Sequence, residues 1–81
     1  MTEYEINKAV AHKLVKPFYG TEMFDPCNDA KQAWEVMLAN NICVLNVGDN
    51  YVAFNVKGKS VDRHKLDAKP FVAAMLLFLE I

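Results

Sequence analysis

Apolar positions fall at helical spacing near the start of the chain, where Ile6, Val10 and Leu14 recur every four residues with Ala9 beside them. Thr2 and Glu5 form a T-x-x-E capping box ahead of this stripe, and Glu3 and Glu5 complement the helix dipole. Lys13 and Lys16 suit the other end, and Pro17 stops the helix. The pattern predicts a first helix over residues 3–15. Between Phe18 and Cys27, Gly20 and Pro26 interrupt aromatic and acidic residues. This reads as an irregular connection in which Phe18, Tyr19, Met23 and Phe24 must find burial. Asn28 or Asp29 then caps a second helix, and with Asp29 as cap Gln32 takes the capping-box position. Its predicted buried stripe is Ala30, Ala33, Trp34, Met37 and Leu38, with Lys31, Gln32 and Glu35 facing out. Asn40-Asn41 supplies a left-handed terminus.

Helical spacing then gives way to two β-branched runs, Ile42–Val47 and Tyr51–Val56, separated by Gly48-Asp49-Asn50. That is a hairpin signal. A two-residue turn at Asp49-Asn50 puts Cys43, Leu45 and Val47 on one face with Val52, Phe54 and Val56. A three-residue loop redistributes these faces, since a one-residue slip inverts the pattern. The first register is preferred because it makes one face wholly apolar. Lys57–Asp67 is polar and predicts a loop, or a short third strand around Ser60–Asp62. Asp67 can cap a last helix that tolerates Pro70 in its first turn. From Phe71 to Leu79 no residue is polar. A helix apolar all round is buried on every side. Such burial needs either the middle of the fold or a dimer interface, and on this ground a homodimer or higher homo-oligomer is expected. The elements define an α+β fold in one domain, residues 1–81: two N-terminal helices, an antiparallel β-hairpin with room for a short third strand, and a buried C-terminal helix.

Composition narrows the function classes. At 81 residues the chain is near the low end for an independent core, yet its 53% hydrophobic content favours a globular chain. A formal net charge of −1 argues against sequence-specific DNA binding, which draws on many Lys/Arg contacts to phosphate. The opening MTEYEINK has neither a basic nor an apolar leader region, and Phe71–Leu79 is far short of the ~20 residues that span a bilayer. A cytosolic protein with no membrane partner is expected. Cys27 and Cys43 match no thiol-based metal motif and read as buried thiols of a reducing compartment. No Gly-rich phosphate loop, paired-carboxylate site or catalytic triad is visible, so neither a catalytic residue nor a metal or other cofactor is expected.

Lys57, Lys59, Arg63, His64 and Lys65 form the one local positive excess. They can hold phosphate oxygens, and Tyr51 and Asn55 on a hairpin face can line a pocket with them. Trp34 can stack on a planar ligand, although its place on the apolar stripe favours core packing. The candidate ligand set is therefore Trp34, Tyr51, Asn55, Lys59, Arg63, His64 and Lys65. The alternative is a solvated loop beside an ordinary core. Asp25, Cys27 and Asn28 adjoin a helix N-terminus that can receive an anion, but helix capping explains them better. His12 is expected on the polar side of the first helix.

Three separated blocks carry a family likeness: EYEINKAVA at residues 3–11, FDPCNDAKQAW at residues 24–34 and KPFVAAMLLFLE at residues 69–80. Together they resemble the NinX-like accessory proteins of lambdoid bacteriophages, whose function is unknown. The middle block is the specific one. Glu35 stands where that family has proline, Lys69 where it has asparagine and Val72 where it has arginine. The resemblance implies a phage accessory protein working by binding in the host cytoplasm. One expectation is a counter-defence protein that sequesters a small phosphorylated or nucleotide ligand. The alternative is a protein–protein interaction module that binds and inhibits a host protein.

Overall fold

The computed structural model describes residues Met1–Ile81 as three helices and a three-stranded antiparallel sheet, an α+β architecture. In chain order the elements are α1 (Glu3–Lys13), α2 (Ala30–Ala39), β1 (Ile42–Asn46), β2 (Tyr51–Lys57), β3 (Ser60–Asp67) and α3 (Pro70–Phe78). The strands lie in the order β1-β2-β3. α3 touches all three strands and also α1 and α2, so it occupies the centre of the molecule. Val72, Ala73, Ala74, Met75, Leu77 and Phe78 are all buried there. The apolar helix is thus satisfied within one chain, which removes it as a reason for oligomerisation.

Thr2 and Glu5 close the predicted capping box at 2.9 and 3.1 Å. α1 ends two residues before the expected boundary. Val15 adopts a positive φ of 58°, and the Lys16 and Val15 amides donate to Ala11 and His12 carbonyls at 2.9 and 3.0 Å, the pairing of a Schellman cap. Its buried face is Ile6, Asn7, Val10 and Ala11, a set that includes a polar residue.

α2 starts where Asp29 accepts from the Gln32 amide at 3.0 Å. The Gln32 side chain reaches past the cap and accepts from the Asp25 amide at 2.6 Å. This tie holds the helix in a rotation that buries Ala33, Val36 and Met37. The predicted stripe is corrected accordingly: Trp34 is 54% exposed and Leu38 63% exposed, and Ala30 also faces solvent. The connection before α2 leaves Tyr19 and Met23 exposed against expectation, whereas Phe24 packs on the core. Phe18 is half-buried, edge-on to Tyr4 at 5.3 Å.

In the hairpin, Val47 donates to the Asn50 carbonyl at 2.9 Å, and Cys43 pairs with Phe54 and Leu45 with Val52. The two-residue turn is therefore Gly48-Asp49, one residue earlier than predicted. Gly48 has φ 89°, as the first central position of a type II′ turn requires. Each residue's cross-strand partner thereby changes by two positions, Phe54 in place of Val56 opposite Cys43, so the predicted membership of the two faces survives. Which face is buried does not match an apolar-inside expectation. Ile42, Ala53 and Asn55 are buried on the helix side, while Cys43, Leu45, Val47 and Val56 look outward. Ala53, with no accessible surface, is the small residue on the central strand's helix side that allows α3 to approach.

The expected loop at Lys57–Asp67 is a tight turn at Gly58 (φ 66°) followed by a full strand. A bulge lies between the pairs Asn55–Arg63 and Val56–Val61, leaving Asp62 as the extra residue. Asp67 does not cap α3. Lys69 is the N-cap, and Asp67 instead accepts from the Lys69 amide at 2.9 Å.

Candidate functional site

Residues of the three segments 3–11, 24–34 and 69–80 meet in space. Asn7 of α1, with no exposed surface, donates to Asp25 at 2.7 Å and accepts from the Cys27 amide at 3.2 Å. Asn28 donates to Glu3 at 2.8 Å, and Lys69 donates to Glu3 at 2.7 Å and to Asn28 at 2.6 Å. The Lys69 ammonium and the Asn28 amide hold the Glu3 carboxyl below the usual carboxylate range. The same bond to Glu3 raises the Lys69 pKa. Burial, aided by the carboxylates of Glu3 and Asp25, pushes the Cys27 thiol up to about 12, which keeps it a protonated, unreactive group at neutral pH. These residues tie the start of α1 and the entry to α3 to the turn before α2. Cys43, by contrast, is an exposed free thiol, contrary to the expectation that both cysteines are buried.

The predicted ligand set does not converge. Trp34 lies on α2, which touches β1 and neither of the other strands, whereas Arg63, His64 and Lys65 belong to β3 at the opposite edge. Asn55 is buried, accepts from the Arg63 amide at 3.1 Å and donates to Asp62 at 3.4 Å. Tyr51 is half-buried opposite Asp67 at the far end of β2. The positive excess is also partly neutralised. Arg63 lies 3.8 Å from Glu80, and Lys65 pairs with the same carboxylate. Lys59 is exposed beside the Gly58 turn, and His64 pairs with Phe54 on the other side of the sheet. A polar cavity of about 430 Å³ does gather Lys13, Asn55, Lys57 and Arg63, but Asp62 and Glu80 line it too.

The sheet's outer face is the larger feature. Its rows follow the register: Leu45, Val52 and Leu66; then Cys43, Phe54 and His64; then Val56 with Val61. No helix lies over them, and Leu45, Val61 and Leu66 are 57%, 56% and 57% exposed. His64 is the lone polar side chain in these rows. At the Gly58 end the face runs into an apolar groove of about 530 Å³ between Leu38, Ile42, Cys43 and Val56. Sequence reasoning found the β1 and β2 share of this face but missed Val61 and Leu66. The alternation of His64 and Leu66 was a usable signal, and the bulge at Asp62 broke its continuity with Val61.

No family model, curated protein or solved structure matches the chain. No helix is long and apolar enough to cross a membrane.

Proposed function

We propose that this chain is a non-catalytic binding module of the phage accessory kind, which holds a protein partner on the outer face of its sheet and so inhibits a host protein. One observation carries the reading: an apolar face across all three strands that no element of the chain covers. Open apolar surface of this extent on a small protein marks an interaction site. The likeness to NinX-like proteins supports the accessory context and the host cytoplasm as the place of action. Tagged protein incubated with bacterial lysate is expected to retain a stoichiometric host protein, and Leu45→Glu and Leu66→Glu are expected to release it. Equal retention by wild type and both variants would remove the face from consideration.

A second reading, sequestration of a small phosphorylated or nucleotide ligand, has the Lys13–Lys57–Arg63 cavity in its favour. Glu80 and Asp62 weigh against it there. Calorimetry with nucleotides, alone and on Glu80→Gln, separates the readings: heat that grows in the variant supports the cavity, and no heat in either leaves the protein-binding face.

A further inference from the structure

We infer that the resting occupant of the outer sheet face is a second copy of this chain, stacked face to face about a two-fold axis perpendicular to the strands. The inference rests on the face being the working surface and names what covers it before any host partner arrives. Three features agree on one geometry.

The first is charge. The β1–β2 turn carries Asp49, and the opposite end of the sheet carries Lys59 beside Gly58. An axis perpendicular to the strands lays each copy's acidic turn over its partner's basic turn. An axis along the strands would instead set like charges together, which disfavours that pairing.

The second is shape. At ~3.3 Å per residue, an axis midway between the Cys43 and Leu45 rows brings the partner's Val47 over the groove between Leu38 and Val56. Val47 is half exposed at the tip of β1, and the groove of about 530 Å³ is open and apolar. The same axis sets Cys43 against the partner's Leu45. Sheets packed this way lie ~10 Å apart with their side chains interdigitated.

The third is area. Three strands ~4.8 Å apart and about six residues long present roughly 300 Å² in projection, and a corrugated side-chain surface exceeds its projection. Seating Val47 in the groove adds to that on both copies. Counting both copies gives roughly 600 Å² in projection, below the ~1,200 Å² at which stable interfaces begin, so the association is a weak one that a host partner can displace.

The test is sedimentation velocity of the full chain across low to high micromolar concentration, with thiol titration of the same samples. The expected result is a concentration-dependent dimer in which Cys43 becomes protected, while Cys27 stays unreactive throughout as the internal reference. Leu45→Glu should weaken the dimer by about tenfold or more, as loss of a central anchor does. Asp49→Lys and Lys59→Asp should each weaken it by about two- to fivefold, the range of exposed ion pairs. The double exchange should restore it, because only the head-to-tail arrangement brings the two sites together. A monomer at every concentration with Cys43 fully reactive overturns the inference. So does a dimer that ignores Leu45→Glu and leaves Cys43 open, since it must use another surface such as the β1 edge. Either result leaves the protein-binding reading standing if lysate capture still depends on Leu45. Loss of that dependence, with the dimer intact, overturns the host-binding reading alone.

Discussion

Asn7 illustrates how one polar side chain can organise a small core. It sits on the buried face of α1 and satisfies both the Asp25 carboxylate and the Cys27 amide. Removing it leaves a buried amide donor without a partner, a loss worth about 1–3 kcal/mol beyond the bond itself. Asn7→Ala should therefore lower the urea midpoint far more than a surface substitution does, and a change within error of wild type would contradict its structural role. Its burial was legible in principle. Asn7 lies three and four residues before Val10 and Ala11, on the same helix face. What the spacing did not contain was the partner, because Asp25 and Cys27 arrive from a separate turn whose path no local rule sets. The same holds for Cys27, whose unreactive thiol comes from the carboxylates and burial that surround it.

At the scale of elements, helix positions followed from capping and spacing more closely than helix rotations did. Asp29, Pro17 and Pro70 placed the ends of α1, α2 and α3 within a residue or two. The stripe on α2 was read one step round the helix, since Trp34 and Leu38 at i and i+4 look as core-like as Ala33 and Met37. Leu38 and Leu77 make this measurable with identical chemistry. Leu77→Ala, at the centre of α3, should cost about 2–5 kcal/mol. Leu38→Ala should cost under about 1 kcal/mol, because most of that side chain already faces water. Similar losses by calorimetric melting at both sites would mean α2 is turned the other way. The strand β3 escaped the pattern because its helix-side residues, Arg63, Lys65 and Asp67, are polar rim positions on an edge strand. Charged edges of this kind block sheet extension.

Across the whole molecule, Glu3, Asn28 and Lys69 tie the first helix, the turn before α2 and the entry to α3. The Glu3 carboxyl titrates below its ordinary 4.5 in the folded chain. Its contribution to stability is therefore present above that pH and is lost as pH falls through the folded value. The stability gap between wild type and Glu3→Gln, read by urea unfolding, should be constant near neutral pH and shrink below 4.5. A gap that persists unchanged in acid would show that the tie contributes no pH-linked stability. The residues of this joint come from segments 3–11, 24–34 and 69–80, while the outer sheet face is built from the segment between the last two.

By itself the sequence determined the α+β class, the N-terminal caps of α1 and α2, the hairpin and the grouping of Cys43, Leu45, Val47, Val52, Phe54 and Val56 on one face. These depend on neighbours within a few residues, where dihedral preference and side-chain periodicity act directly. Only the tertiary structure decided which side of the sheet α3 covers. A three-stranded sheet has two faces and this chain has one central helix, so one face must remain open. The small Ala53 and the satisfied Asn55 drew α3 to the less apolar side. The more apolar side was left open.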